Sequence, residues 1–200
     1  MSLIIELLFV LITSIGFNMI PFAGPSNLFI ASNAALMVPS ANPLILGFTV
    51  ALGASLAKSV HYMITFFISK KLSAERRNRL DVSAMKIKRW AFLLLFVAAA
   101  SPIPDEPIII PLGLMKYSPI KFFSSYFLGK LTIGIAGAFL GTWAGNTFSN
   151  FLNETTMIAI SIILTIVITI ILLKFDLSKI ANKIIKRNKK QKNDSLIIIV

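Results

Sequence analysis

The stretch SPIPDEP at residues 101–107 places three prolines and two acids inside an otherwise apolar region. Clustered prolines end helices, so this region cannot form one continuous helix. The flanking apolar pieces, 90–101 and 108–115, contain twelve and eight residues. Twelve helical residues reach only about 18 Å, whereas the hydrocarbon of a bilayer is about 30 Å thick. In a membrane, this region would therefore enter and return as a re-entrant hairpin, with its tip buried in protein or in a wet cavity.

The composition places the chain in a membrane. Of its 200 residues, 56% are hydrophobic and only 14% are charged, whereas soluble domains are about 25% charged. The absence of cysteine excludes disulfides, thiolate nucleophiles and Cys-ligated metals, and the single histidine, His61, leaves no cluster for zinc. We therefore expect an all-α integral membrane protein that is not an enzyme and has no metal and no cofactor.

The net charge of +12 comes from two basic segments, 70–89 and 174–194. Each segment holds eight Lys or Arg residues and two acids. Basic segments that flank apolar spans face the cytoplasm under the positive-inside rule. The two basic segments hold a single aromatic residue, Phe175, and this lack of aromatic residues among the basic ones argues against nucleic-acid binding. Both segments are predicted to be cytoplasmic.

The remaining apolar stretches define the crossings. Two of them, 44–69 and 119–144, are long enough to span a bilayer, and a third, 155–173, is nearly so. Both basic segments can face the cytoplasm only if an even number of crossings separates them. A re-entrant 90–115 leaves two crossings, and it also places residues 145–154 outside.

A second broken region lies near the N-terminus, where residues 3–38 carry PFAGPSN at 21–27. The N-terminus has no basic residue and contains Glu6, which favours an outside N-terminus and a hairpin that enters from outside. A single crossing by residues 3–20 is the alternative. A cleaved signal peptide is not expected, because there is no basic n-region.

Together these segments predict two inverted-topology repeats, each a re-entrant hairpin plus a transmembrane helix, followed by one more transmembrane helix. The alternative is two proline-broken segments that are alike only in composition. The membrane domain would comprise residues 1–173, with repeat 1 at about 3–69, repeat 2 at about 90–144, and a basic tail at 174–200. The residues assigned to the hairpin tips are Pro21, Gly24, Pro25, Ser26, Asn27, Pro102, Pro104, Pro107 and Gly113.

Four charges are expected at mid-membrane depth. Asp105 and Glu106 lie at the second tip, where acids usually mark ion or substrate pathways. The alternative is that they cap the helix that follows. Lys58 and Lys130 lie near the middles of the two long spans and are predicted to pair with the acids or to bind a phosphate headgroup. His61 is a candidate proton relay, and a hydrogen-bonded structural histidine is its alternative.

The segment ASPIPDEPIIIPLGLMKYSPIKFFSSYFLGK at 100–130 resembles the second hairpin and following span of the DedA family, also called the SNARE-associated or VTT-domain superfamily, in its archaeal-type members. Residues 20–72 resemble the first hairpin and span, with Gly53 and Tyr62 at the family's Gly and Tyr positions. The resemblance covers about residues 10–145.

The resemblance implies two opposed re-entrant hairpins and a role in moving lipids across the bilayer, as a scramblase or as a flippase of polyprenyl-phosphate carriers, with proton coupling through embedded acids. The chain departs from the bacterial pattern, because Ser26 and Asn27 replace an acid, and Ala100 and Ser101 stand where arginines are expected. A proton- or ion-coupled exporter of a small solute and a non-transporting scaffold are the alternatives. The expected partners are membrane lipids and protons or ions, and a homo-oligomer is compatible with the sequence.

Overall fold

The computed structural model of the chain describes residues 2–22, 24–69, 90–102 and 104–148, and in the 155–170 stretch residues 155–156, 159–160, 162–163, 166–167 and 170. These residues form helices and short connections, with no strand among them. The basic segments predicted to be cytoplasmic lie outside the described residues, and so do 149–154 of the predicted outer loop.

Within the described ranges, six helices have defined ends: α1 Leu3–Met19, α2 Asn27–Met37, α3 Pro43–Ile68, α4 Ala91–Ala99, α5 Glu106–Leu114 and α6 Pro119–Phe148. Local chemistry explains several of the starts. The Ser26 side chain accepts a hydrogen bond from the N–H of Leu28, and Asn42 does the same for Leu44. Proline occupies the first turn of α3 and of α5, where its missing N–H is not needed.

Two of the described helices are long and apolar enough to cross a membrane, α3 with 26 residues and α6 with 30. At 1.5 Å per residue they are about 39 and 45 Å long. The predicted span 44–69 agrees with α3. The span predicted as 119–144 is too short, because α6 continues to Phe148. The helix can extend through this last turn because the turn contains no proline and only one glycine, which a helix tolerates. The described residues of the third predicted span, 155–173, are helical.

Both proline-containing breaks occur where the sequence predicts them. Residues 20–26 separate α1 from α2, and residues 100–105 separate α4 from α5. The helices α4 and α5 have nine residues each, or about 14 Å, so neither can cross a bilayer alone.

The helix packing exchanges elements between the two halves of the chain. The long helices α3 and α6 pack against each other, α1 packs on α3, and α4 packs on α6. The second helix of each broken pair crosses over, because α2 packs on α6 and α5 packs on α3. Each break is consequently held next to the long helix of the other half.

Glycines allow this close packing. A Cβ on Gly134 would lie 2.8 Å from the carbonyl oxygen of Gly47, and a Cβ on Gly137 would lie 2.3 Å from that of Leu28. Ser32 of α2 adds a hydrogen bond to α6, because its Oγ lies 2.7 Å from the carbonyl oxygen of Gly137. Small residues that let backbones approach are typical of membrane helix interfaces.

The Gly137 contact predicts a position-specific effect of one methyl group. Gly137→Ala should destabilise the protein by about 1–3 kcal/mol, since the new Cβ forces α2 and α6 apart. Gly16→Ala is the control, because Gly16 is exposed on α1 and a Cβ added there would meet nothing within 4 Å; it should be neutral or stabilising by up to about 1 kcal/mol. Thermal unfolding in detergent measures both, and equal midpoints would contradict the packing.

Candidate functional site

The second break places two acids inside the protein. Asp105 immediately precedes α5 and Glu106 is its first residue, followed by Pro107. Asp105 is only 4% exposed and Glu106 only 5%. Charged groups removed from water to this extent require partners.

Two lysines from the long helices supply those partners. Lys58 of α3 forms an ion pair with Glu106, and its Nζ lies 3.8 Å from Oδ1 of Asp105. Lys130 of α6 places its Nζ 2.9 Å from Oδ2 of Asp105. Both lysines are themselves buried. The pairing predicted from the sequence is therefore confirmed, and the charge cluster, defined as Lys58, Asp105, Glu106 and Lys130, carries no net charge.

Tyr126 completes the cluster, and sequence reasoning missed it. Its hydroxyl donates a hydrogen bond to Oδ2 of Asp105, and Lys130 Nζ lies 5.2 Å from the centre of its ring. This distance allows a cation–π interaction. Tyr126 precedes Lys130 by four residues on α6, a spacing that puts both on one helix face and could have identified it.

The hydroxyl of Tyr126 should contribute measurably to stability. Tyr126→Phe removes a hydrogen bond to a charged group, so we expect a loss of about 1.5–3 kcal/mol in the free energy of unfolding. Thr132→Val is the control: Thr132 is exposed on the same helix, and its hydroxyl bonds only one turn back, to Leu128 O. Chemical denaturation in detergent compares them, and a Tyr126→Phe effect no larger than that of the control would rule out this role.

Glu106 also joins the two breaks. The backbone N–H of Phe22, in the first break, donates to Oε1 of Glu106 at 3.1 Å. Phe22 has a φ of 62°, in the left-handed region that side chains other than glycine rarely adopt. The two breaks therefore contact each other, as the sequence predicts for the hairpin tips.

The capping alternative for the two acids does not describe the observed contacts. Asp105 occupies the N-cap position of α5, but its side chain makes no capping hydrogen bond. Its carboxylate instead contacts Lys130 and Tyr126 of α6. The acids therefore act in tertiary contacts rather than local ones.

Comparison with known families assigns the chain to one of them. The sequence profile of the VTT domain matches residues 24–142, which include both acids, both lysines and most of both long helices. The chain belongs to the VTT-domain (DedA) family of membrane proteins. No curated protein and no solved structure matches it.

A neutral polar pair, one residue at the end of α1 and one at the start of α2, flanks the first break of this VTT-domain protein. Asn18 and Asn27 exchange two amide hydrogen bonds, each 3.0 Å long, and both residues are buried. The tight turn at Gly24 has no room for a side chain, because a Cβ there would lie 2.6 Å from the carbonyl oxygen of Phe17. The family resemblance places an acid in this region, and here amides hold α1 and α2 together.

Two predicted site residues lie away from the charge cluster. Gly113 is in the last turns of α5, seven residues beyond Glu106, so its assignment to the hairpin tip is wrong; it packs where Thr65 of α3 leaves no room for a Cβ. Nε2 of the His61 ring lies 3.2 Å from the carbonyl oxygen of Met19, at the end of α1. A relay role for His61 stays a prediction.

Proposed function

We propose that this VTT-domain protein moves a lipid across the bilayer, as a flippase or scramblase rather than as an enzyme. The single observation that carries the proposal is the buried neutral charge cluster at the contact between the two breaks. Intramembrane charges that pair with one another mark substrate or ion pathways. A phospholipid or a polyprenyl-phosphate carrier fits best, because its phosphate could replace a carboxylate as the partner of a lysine.

The cluster has the chemistry for proton coupling. Protonation of Asp105 would remove the anion that Lys130 faces at 2.9 Å. The lysine would then need another anion, and a lipid phosphate supplies one. Binding of the phosphate and uptake of a proton would thus favour each other.

The same proposal includes the inverted repeat of two re-entrant hairpins and a final helix. The exchange of α2 and α5 between the long helices supports it, because each break then lies beside both halves. Transporters with inverted repeats place substrate sites where broken helices meet near the midplane. The headgroup would cross at this meeting point while its hydrocarbon chains stay in apolar surroundings.

We further propose that the protein lies in the cell membrane, with 70–89 and 174–200 cytoplasmic and 145–154 outside. Trp90 follows the first basic segment and is 57% exposed, and Trp143, near the outer end of α6, is 63% exposed. Exposed tryptophans gather at membrane interfaces. They support one interface at each of these positions.

This orientation predicts the labelling of two engineered cysteines in a chain that has none. Cysteine at position 149, from Ser149→Cys, should react with an impermeant thiol reagent on intact cells. Cysteine from Ser83→Cys should react only after the membrane is permeabilised. Labelling of position 83 and not of position 149 on intact cells would show that the orientation is the reverse of the one proposed.

Reconstitution in vesicles tests the function. Vesicles of phosphatidylcholine and phosphatidylglycerol containing a fluorescent phospholipid would be treated with an impermeant quencher. We expect the quenched fraction to rise above the outer-leaflet fraction when the protein is present. No lipid movement together with a solute flux driven by a pH gradient would favour the exporter. No transport of either kind would favour the scaffold, in which the paired charges only neutralise one another.

A further inference from the structure

An apolar groove of about 550 Å³ leads away from the first break. The groove runs between α1, α2 and the helical residues of the 155–170 stretch. Its walls are almost entirely hydrocarbon, and they include Phe9, Phe17, Phe29, Met37, Ile162 and Ile166. Its size falls within the range of ligand sites, about 300–1,000 Å³.

The groove is continuous with the first break. Pro25, within that break, lines one end of it, and Phe17 lies in the last turns of α1 just before the break. Phe22 lies between these two residues in sequence, and its N–H bonds Glu106 of the charge cluster. The groove and the charge cluster both contact the first break, the groove through Pro25 and the cluster through Phe22, and this suits a molecule with a charged head and a long apolar chain.

One polar side chain, Asn33, interrupts the apolar wall of the groove. Asn33 lines the groove and donates through Nδ2 to Phe29 O at 2.8 Å. Its Oδ1 is buried without a hydrogen-bond partner in the part of the chain that the structure describes. Buried polar atoms are normally paired, but an acyl chain has no N–H or O–H to donate and leaves this oxygen unpaired, so it is the apolar walls that favour a chain.

We propose that the groove binds one hydrocarbon chain of a membrane lipid whose headgroup is at the charge cluster. The proposal rests on the function proposed above and adds the location of the lipid chain. The walls favour a lipid chain over water because they are apolar. They favour it over a polar solute for the same reason.

Two tryptophan substitutions on adjacent residues of α1 test the proposal. Thr13 lines the groove, whereas Ile12 is 66% exposed and does not line it. Thr13→Trp should fill the groove and lower lipid movement at least about tenfold, which corresponds to about 1.4 kcal/mol. Ile12→Trp should transport as wild type does. Equal activity of the two folded variants would overturn the proposal.

Photolabelling tests the position of the lipid's acyl chain directly and does not depend on transport. A phosphatidylcholine with a diazirine at the middle of one acyl chain would be activated in phosphatidylcholine–phosphatidylglycerol vesicles that contain the protein. Mass spectrometry should map adducts to groove residues such as Phe29 and Met37. In the Thr13→Trp variant these groove adducts should be absent, whereas adducts at the exposed Ile12 should persist. Groove adducts in a protein that moves no lipid would leave the binding site standing and refute the proposed function. Transport without groove adducts would refute the site alone.

Other occupants would give different products. Cysteine from Thr13→Cys could form a disulfide-linked dimer under oxidation, which would place a second copy at the groove. A photoreactive group on the same cysteine could instead crosslink to residues 174–200 of its own chain. Either product, without lipid adducts, would overturn the assignment.

Discussion

Asp105→Asn is expected to reduce lipid movement to the level of protein-free vesicles while leaving membrane insertion intact. Asparagine keeps the shape of the side chain but cannot carry the charge or exchange the proton. Asp105 contacts Lys130 at 2.9 Å and Lys58 at 3.8 Å, so its loss leaves the buried cluster with an excess positive charge. Removing one partner of a buried ion pair typically costs about 3–5 kcal/mol of stability. The quencher assay in vesicles measures transport, and unfolding in detergent measures stability.

A charge-balanced variant separates these two effects. Asp105→Asn combined with Lys130→Met removes one anion and one cation, so the remaining Lys58–Glu106 pair is neutral. We expect its stability to return towards that of the wild type and transport to stay absent. Glu6→Gln, which neutralises an acid of α1 that lies outside the cluster, should transport normally. A folded and active double variant would show that the titration of Asp105 is not needed, and the site assignment would fail.

Lys58→Met should be the most destabilising single change at the cluster. Lys58 contacts both acids, and among the described residues its ammonium is the cation that pairs with Glu106. Without it, the cluster holds two buried carboxylates and one cation, Lys130, which pairs with Asp105, so Glu106 loses its partner and an excess negative charge remains. We expect a loss of about 3–5 kcal/mol or more, measured by thermal unfolding in detergent. Lys130→Met should be milder, because Asp105 keeps Lys58 and the hydroxyl of Tyr126 as partners.

Lys121→Met is the matched control for both lysines. Lys121 lies on α6 like Lys130, but it is exposed, so its replacement should change stability by no more than about 0.5 kcal/mol. If Lys58→Met and Lys121→Met unfold at the same temperature, the buried ion pairs contribute nothing. If Lys130→Met abolishes transport but retains stability, the lysine binds the phosphate rather than only balancing charge.

The helices and their breaks are predictable from the sequence alone, because both depend on local properties. Hydropathy and length identify α3 and most of α6. The prolines at 21–27 and 101–107 mark the two breaks, since proline removes a backbone donor wherever it occurs. The four charges stand out because a charge in an apolar stretch is costly in any fold. Even the pairing of lysine with carboxylate follows, since neutrality is the least costly outcome for buried charges.

The contacts around the cluster depend on the tertiary structure. The exchange of α2 and α5 decides which lysine faces which acid, and spacing along the chain carries no information on it. The bond between Phe22 N–H and Glu106 joins residues 84 positions apart. Any residue but proline has that donor, so no sequence signal marks this bond.

Gly113 and His61 show the limits of local patterns for a related reason. Gly113 follows a proline-rich segment, which suggests a turn, yet its small size serves close packing against Thr65. His61 shares a helix face with Lys58, yet its ring contacts the end of α1. Sequence determined what had to be buried and where helices had to end, because these are properties of single residues and short segments. The partners were decided only by the packing of α1–α6, because contacts between distant segments depend on three-dimensional proximity.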